Sequence, residues 1–137
     1  MKVVLDTNVI ISAFLWARRT SQILNLVEDQ NIIVYTCSDQ IRELKGVLER
    51  PKFKLIFKKA QLKPETIVSG FLDLAQLTKP IKKINIIKDD LFDNIILSCA
   101  MTIKAKYLIT GDKHLLSLKE FQKTKIIKPA EFLEKYK

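Results

Sequence analysis

Histidine and cysteine are scarce in this chain of 137 residues, which has one histidine and two cysteines. That is too few for the closed site of Cys and His ligands that holds a structural zinc ion. Cys37 and Cys99 both lie in apolar stretches, and we expect them to be reduced core residues of a cytoplasmic protein. Long apolar runs are also absent, since none approaches the ~20 residues that a membrane span needs. The composition therefore excludes a closed zinc site and predicts no membrane partner.

Acidic residues are the minority among the charged side chains. Lys and Arg number 24 against 15 Asp and Glu, which gives a net charge of +9. A basic balance of this size permits attraction to nucleic acid or to an anionic membrane, although lysine also serves solubility. The stretch from Arg50 to Lys63 contains six basic residues and no acid. We expect it to be either a solvated helix face or a surface that contacts a polyanion.

Predicted strands and helices alternate along the chain, whose length fits one domain and whose 47% hydrophobic content suffices for a core. Short β-branched or apolar runs predict strands at 3–5, 32–35, 107–109 and 126–127. Apolar residues at helical spacing predict helices at 9–17, 21–28, 38–49, 52–59, 65–77, 93–104, 114–118 and from Pro129 onward, with an irregular extended piece at 80–87. This alternation predicts an α/β fold with a parallel sheet covered by helices on both faces.

Two acids each follow a predicted strand. Asp6 comes directly after the strand at 3–5, and Asp112 comes shortly after the strand at 107–109. In open parallel sheets, ligands bind outside the carboxyl ends of the strands, where the strand order reverses. Either carboxylate could instead cap the helix that follows it, since aspartate is a good N-cap residue. Both a shared site at one sheet edge and two separate helix caps therefore fit these positions.

Two further acids lie on predicted helices. Glu43 stands at the edge of an apolar stripe, where a solvated glutamate is the simpler interpretation. Gly46 stands three residues further on, and a mid-helix glycine costs ~1 kcal/mol relative to alanine. This indicates that the same side of the helix needs clearance for another element or a ligand. Asp93 follows Asp90 at the spacing of a capping box, at the start of a helix that is expected to be buried. A capping role and a ligand role can coexist there.

Taken together, the four acids indicate a cation site. Mg²⁺ and similar hard cations are held in proteins by a few carboxylates and by waters that the ion retains. Carboxylates packed together without a cation repel one another and raise one another's pKa, and a bound metal relieves this repulsion. In a chain of net positive charge, an acidic cluster beside basic residues is the arrangement that a phosphodiester substrate would need.

Three strings of this sequence resemble the PIN-domain family of metal-dependent ribonucleases. They are Val4-Leu5-Asp6-Thr7-Asn8-Val9, then Glu43-Leu44 with Val47-Leu48, and then Asp93-Asn94 leading to Tyr107-Leu108-Ile109-Thr110-Gly111-Asp112. The resemblance covers essentially the whole chain. The segment from Glu43 to Phe53 is similar to the VapC-type PIN toxins of toxin–antitoxin pairs. This resemblance implies a three-layer α/β/α fold with a central parallel sheet of about five strands.

The resemblance also implies which residues form the site. The acids that would bind the metal and serve catalysis are Asp6, Glu43, Asp93 and Asp112. The residues that would support them are Asn8 and Thr110. The family commonly has Asp-Pro-Asp-Asp before the third acid, whereas this chain has Asp90-Leu91-Phe92-Asp93. Asp90 therefore could add a metal ligand or serve only as a helix cap.

The activity that the resemblance implies is hydrolysis of RNA phosphodiester bonds with Mg²⁺ or Mn²⁺. Basic side chains would hold the RNA backbone. The residues expected in this role are Arg50, Lys52, Lys54, Lys58, Lys59 and Lys113. A toxin role implies a cognate antitoxin protein as a partner. A symmetric homodimer is the commonest form of oligomer for a chain of this kind.

Two other hypotheses remain open at this point. A PIN-like domain could bind RNA or a protein partner without cutting. A phospho-receiver signalling domain has a similar length, alternating elements and an acid cluster that binds Mg²⁺. Such a domain would have two adjacent acids after the first strand and a phosphoacceptor aspartate after a middle strand. Here Asp6 stands alone, and the predicted strand at 32–35 is followed by Thr36 and Cys37.

Overall fold

Six strands form one sheet in the computed structural model, which describes residues 1–15, 18–80 and 91–135, with the backbone alone at 18–20. The strands are β1 (Lys2–Leu5), β2 (Ile33–Thr36), β3 (Ala75–Leu77), β4 (Tyr107–Ile109), β5 (Glu120–Phe121) and β6 (Thr124–Ile127). The helices are α1 (Thr7–Leu15), α2 (Arg18–Glu28), α3 (Ser38–Leu48), α4 (Pro51–Ala60), α5 (Pro64–Leu74), α6 (Leu91–Ile103), α7 (Lys113–Leu116) and α8 (Pro129–Glu134). Among these described helices, none has the length and apolar content that crossing a membrane requires.

The sheet has the strand order β3-β2-β1-β4-β6-β5. The neighbouring strands from β3 to β6 pair in parallel, whereas β5 is the antiparallel partner of β6 at the edge. In the centre, Val4 of β1 lies beside Tyr35 of β2 and Leu108 of β4. The predicted α/β fold with a parallel sheet of about five strands is confirmed, and β5 adds a short sixth strand.

Helices cover both faces of the sheet because successive residues of a strand point to opposite sides. On β1, Val3 and Leu5 join one apolar core and Val4 joins another. The first core contains side chains of α1 to α5 and of α8, and the second contains side chains of α6 and α7. This is the three-layer α/β/α arrangement that the family resemblance implies.

One helix is shorter than the sequence pattern predicts. The helix expected at 65–77 ends at Leu74, and Ala75–Leu77 forms β3. Ala75 already has extended backbone angles, with φ −99° and ψ 155°. The strand β3 pairs with β2, and this tertiary pairing overrides the local helical preference of the segment. The irregular piece predicted at 80–87 lies, beyond Pro80, outside the described residues.

Candidate active site

The strand order of the sheet reverses between β1 and β4. The sheet extends from β1 to β2 and β3 on one side, and from β4 to β6 and β5 on the other. In open parallel sheets, such a reversal creates a crevice outside the carboxyl ends of the two strands, where ligands bind. Asp6 follows β1 here, and its backbone N–H donates a hydrogen bond to the carbonyl of Ile109 on β4 over 2.9 Å. The two strand ends that carry predicted site residues therefore lie side by side.

The Asp6 carboxylate is buried, with 7% of the residue exposed, and both of its oxygens are held. Oδ2 accepts a hydrogen bond from the Thr110 hydroxyl over 2.6 Å, and Oδ1 accepts one from the backbone N–H of Thr7 over 2.8 Å. The bond to Thr7 joins neighbouring residues, and it is not the bond to the second or third helical N–H that an N-cap side chain makes. The bond to Thr110 crosses from the end of β1 to the end of β4 and has no part in the helix. A capping role alone therefore does not explain the position of Asp6.

Thr110 links Asp6 to Asp112. Its fully buried hydroxyl donates to the Asp6 carboxylate and accepts the backbone N–H of Asp112 over 3.0 Å. The Asp112 side chain caps α7, because Oδ1 accepts the backbone N–H groups of His114 at 2.7 Å and Leu115 at 3.1 Å. Both capping bonds go to Oδ1, so Oδ2 takes no part in the cap. Asp112 therefore caps α7, as one of the two interpretations predicted, and it does so with one carboxylate oxygen only.

Asp93 and Glu43 stand on helices that pack close to β1. Asp93 lies in the first turn of α6 and is 6% exposed, and its neighbour Asn94 is equally buried. The helix α6 contacts both β1 and α3, and α3 carries Glu43 at a half-buried position. A carboxylate as buried as that of Asp93 needs compensation for its charge. Asp90, the other residue of the predicted capping box, lies outside the described residues.

The structure joins some of the predicted site residues directly and others only through their elements. Asp6, Thr110 and Asp112 form one hydrogen-bonded chain. Asn8 is exposed in the first turn of α1. Across residues 1–15, 18–80 and 91–135, no three acidic, histidine or cysteine side chains are grouped so that they could hold an ion. The four-acid cluster that the family resemblance implies therefore stays a prediction. Of its four acids, the hydrogen bonds described above link only Asp6 and Asp112.

The residues predicted to bind RNA are exposed. The helix α4 buries Phe53 and Phe57 and has four exposed lysines, Lys52, Lys54, Lys58 and Lys59. Arg50, which precedes this helix, is exposed as well. Lys113 is exposed at the start of α7, directly after Asp112. Both interpretations of the basic stretch, a solvated helix face and a surface for a polyanion, require this exposure.

Two buried polar residues beside the site, Gln40 and Thr36, are not predicted as site residues from the sequence. Gln40, in the first turn of α3, donates from Nε2 to the carbonyl of Leu5 over 2.6 Å, and its Oε1 accepts the hydroxyl of Thr36 over 2.6 Å. Gln40 is 2% exposed. A signal exists in the sequence, because Gln40 shares the helical stripe of Leu44 and Val47, where an apolar residue is expected. A polar side chain on such a stripe indicates a specific buried partner.

The two cysteines are buried free thiols that interact with each other where the start of α3 meets α6. A hydrogen bond with the Cys99 thiol lowers the pKa of Cys37 to about 7 against the opposing effect of burial, and the backbone N–H of Gln40 contributes in the same direction. The same hydrogen bond and burial raise the pKa of Cys99. Both cysteines are therefore core residues, as predicted.

Gly46 faces open space and not a neighbouring element. A Cβ placed on this residue would meet nothing within 4 Å. The interpretation that this side of α3 needs clearance for another element is therefore wrong for the residues that the structure describes, and clearance for a ligand stays a prediction. The glycine lies in the middle of α3 without the positive φ that would require it.

Gly46→Ala is expected to raise the free energy of unfolding by about 1 kcal/mol, because alanine has the higher helix propensity. Urea denaturation followed by circular dichroism should show a higher midpoint with an unchanged slope. Gly70→Ala is the matched control in another helix, since its Cβ would meet Cε1 of Phe14 at 3.1 Å. That variant should gain less stability or lose some. A lower midpoint for Gly46→Ala would contradict the open position of this residue.

Known proteins resemble this chain in sequence and in structure. A family model described as a PIN domain matches residues 2–114. The uncharacterized protein MJ1680 of Methanocaldococcus jannaschii is 30% identical over 145 residues, and the alignment covers 99% of this chain and 92% of that protein. The fold is similar to that of a chain in the crystal structure of VapBC2 from Rickettsia felis bound to a DNA fragment from their promoter, with a TM-score of 0.65. This match has 17% identity and covers 93% of this chain and 98% of the other, so it supports the fold alone.

Proposed function

Because this chain belongs to the PIN domain family, whose members are generally nucleases, we propose that it is a metal-dependent endoribonuclease. It would hydrolyse RNA phosphodiester bonds as the toxin of a toxin–antitoxin pair. The observation that carries this proposal is the hydrogen-bonded chain from Asp6 through Thr110 to Asp112 at the reversal of the strand order. Two carboxylates held on adjacent strand ends are fixed before a substrate arrives, which is what electrostatic catalysis needs.

The residues at this sheet edge have the chemistry that Mg²⁺ or Mn²⁺ prefers. Mg²⁺ usually keeps several waters and binds through one or two carboxylates, so a group of three protein ligands is not required. The Thr7 hydroxyl beside Asp6 is buried and has no hydrogen-bond partner among the described residues, although buried hydroxyls ordinarily have one. A water retained by a cation at Asp6 would supply that partner. Asp6 and Asp112 would hold the ion, and the family resemblance adds Asp93 as a further ligand and Glu43 as a ligand bound directly or through water.

A divalent cation in this position would lower the pKa of a bound water and stabilise charge on the leaving oxygen. The protein's own contribution is to keep the ligands still. The Thr110 hydroxyl and the Thr7 N–H fix the Asp6 carboxylate, and the cap of α7 fixes Asp112. Because Thr110 is fully buried, water does not compete for its hydroxyl. The site therefore needs little rearrangement to accept its charged substrate.

Exposed cations would position the RNA backbone beside this edge. The four lysines of α4 and Arg50 are exposed, and Lys113 stands next to Asp112. Contacts of this kind neutralise phosphates and release counterions, so binding should weaken as the salt concentration rises. They carry no base specificity by themselves. The preferred RNA sequence would then depend on other contacts.

An antitoxin partner is part of the proposal. Two similarities support it. The segment from Glu43 to Phe53 resembles PIN toxins in sequence, and the fold is similar to that of a chain in the VapBC2 structure. We propose in addition that the isolated chain forms a symmetric homodimer. Co-purification with the product of the neighbouring open reading frame tests the first point. The mass of the isolated chain in solution tests the second.

The function is tested by incubating native protein with single-stranded and with structured RNA in the presence of Mn²⁺ or Mg²⁺. Cleavage is expected with at least one of the two ions, and excess EDTA should abolish it. A single-stranded DNA of the same sequence is the control that tests whether the protein prefers RNA to DNA. No cleavage with either ion would contradict the proposal. Salt-dependent RNA binding without any metal-dependent turnover would instead support a non-catalytic RNA-binding domain.

A further inference from the structure

The peptide group between Leu5 and Asp6 is held from both sides. The N–H of Asp6 donates to the carbonyl of Ile109 on β4 over 2.9 Å. The carbonyl of Leu5 accepts from Nε2 of Gln40 over 2.6 Å. Since the N–H and C=O of a planar trans peptide point in opposite directions, β4 and α3 hold this group from opposite sides. The backbone immediately before the Asp6 carboxylate therefore depends on Gln40 as well as on the sheet.

The Gln40 side chain continues the hydrogen bonding of β1 beyond the last residue pair that β1 forms with β2. The β1–β2 register ends at Val4 and Tyr35, whereas Leu5 is paired with Ile109 on β4. Because Oε1 of Gln40 accepts the Thr36 hydroxyl, the amide turns its donor Nε2 toward the Leu5 carbonyl. A carbonyl can only accept, so the opposite orientation of the amide would lose the bond to Leu5, whereas the Thr36 hydroxyl can accept as well as donate.

These bonds are shielded from water. Gln40 is 2% exposed, Thr36 is 0% exposed and Leu5 is 1% exposed. If the Gln40 side chain were removed, no solvent would be at hand to satisfy the Leu5 carbonyl or the Thr36 hydroxyl. Both groups would have to move to find new partners, and the Leu5 carbonyl cannot move without the peptide that leads into Asp6.

Gln40 also fixes the helix that carries Glu43. Residues three apart lie on the same side of a helix, so Glu43 stands one turn beyond Gln40 on that side of α3. The bond from Gln40 to Leu5 ties the first turn of α3 to the end of β1. The distance between Glu43 and Asp6 therefore depends on a bond that lies near both residues in the chain.

We infer that Gln40 is a positioning residue of the metal site, which holds the backbone of Asp6 and the helix of Glu43 in one fixed arrangement. The inference rests on the metal site of the proposed function, because Asp6 and Glu43 are metal ligands only there, and it does not depend on the RNA substrate. Gln40 itself would contact neither the ion nor the RNA. Substitution of residues that orient metal ligands typically weakens metal binding about 10- to 100-fold.

Gln40→Met is the direct test, because methionine has a similar length but cannot donate to the Leu5 carbonyl. Binding of Mn²⁺ to the whole protein, without RNA, is measured by the loss of the electron paramagnetic resonance signal of free Mn²⁺. The dissociation constant is expected to rise about 10-fold or more. The Mn²⁺ concentration for half-maximal RNA cleavage should rise in parallel.

Thr124→Val is the matched control. The Thr124 hydroxyl is buried and donates to the carbonyl of Ala105 over 2.6 Å, which is as short a bond as that of Gln40. It lies at the start of β6, at the end of the sheet away from Asp6. Loss of this bond should lower the unfolding midpoint and leave the Mn²⁺ dissociation constant within about twofold of native.

The outcomes separate the inference from the proposed function. If native protein binds Mn²⁺ and Gln40→Met binds it as tightly as Thr124→Val does, the inference is wrong, and the proposed function is still decided by the RNA cleavage assay. If native protein binds no Mn²⁺, both are wrong. If Gln40→Met binds Mn²⁺ more weakly and Thr124→Val does not, but native protein cleaves no RNA, the inference stands and the proposed ribonuclease activity is wrong.

A second variant covers the case in which Gln40→Met does not fold. The double variant Gln40→Met with Thr36→Val replaces both partners of the Thr36–Gln40 bond by apolar groups of similar size. Such a paired replacement costs less stability than leaving one partner unsatisfied. It still lacks the donor for Leu5, so the same loss of Mn²⁺ binding is expected. Native Mn²⁺ affinity in the folded double variant would overturn the inference.

Discussion

Asp6→Asn is expected to lower the rate of RNA cleavage by about 100- to 1,000-fold while the protein stays folded. Asparagine keeps the size of the side chain and an oxygen that can accept the Thr110 hydroxyl. It removes the negative charge, and with it a ligand for a cation whose stabilisation of transition-state charge is several kcal/mol. A tenfold change in rate corresponds to about 1.4 kcal/mol, which gives the expected range. The measurement is the initial rate of RNA cleavage at saturating Mn²⁺.

Asp39→Asn is the matched control for this loss. It makes the same change in charge at a side chain that is 49% exposed on α3 and forms a surface ion pair with Arg42 at 3.4 Å. Surface ion pairs stabilise proteins by about 0–1 kcal/mol, so both the cleavage rate and the unfolding midpoint should stay near native. If Asp6→Asn cleaves RNA as fast as Asp39→Asn, the strand-end acids are not the nuclease site.

Phe132→Ala is expected to lower the free energy of unfolding by about 3–5 kcal/mol, the usual cost of truncating a buried phenylalanine. Phe132 is fully buried and packs edge-to-face on Tyr107, with ring centroids 5.6 Å apart. It belongs to α8, beyond residues 2–114 that the family model matches. Tyr107 begins β4, the strand that leads to Thr110. The terminal helix is thus expected to be required for the stability of the domain.

Urea denaturation measures this effect, and a lower midpoint with an unchanged slope indicates a loss of stability alone. Phe92→Ala is the matched control, because Phe92 is 45% exposed at the start of α6. Surface substitutions usually change stability by less than about 0.5 kcal/mol. Equal losses in the two variants would show that α8 does not contribute to the core in the way its burial indicates.

The central strands and their acids are predictable because several signals agree there. The runs before Asp6 and Asp112 are apolar and short, and each is followed by a polar residue suited to start a helix. The alternation of elements then places both carboxyl ends at one edge of a parallel sheet. The hydrogen-bonded link through Thr110 agrees with that placement. Membership of the PIN domain family also removes the support for a phospho-receiver domain.

Other features depend on contacts that a local pattern does not contain. The strand β3 has the sequence Ala75-Gln76-Leu77, which continues the apolar period of α5 and is extended because it pairs with β2. The role of Gln40 depends on Leu5, which is 35 residues away in the sequence. The link between the strand-end acids passes through one threonine hydroxyl, and the sequence spacing alone does not specify the partners of that hydroxyl.

The bond between Asp6 and Thr110 joins residues that are 104 positions apart in the chain. A chain synthesised at roughly 5–20 residues per second needs about 5–20 s to pass from the first of these residues to the second. During that time β1 exists without β4, its neighbour on the side of the site, and no sheet edge unites the acids. Contacts this distant in sequence also make folding slow. Under the proposed function, a growing chain lacks a complete site until the segment with Thr110 and Asp112 has left the ribosome and paired with β1.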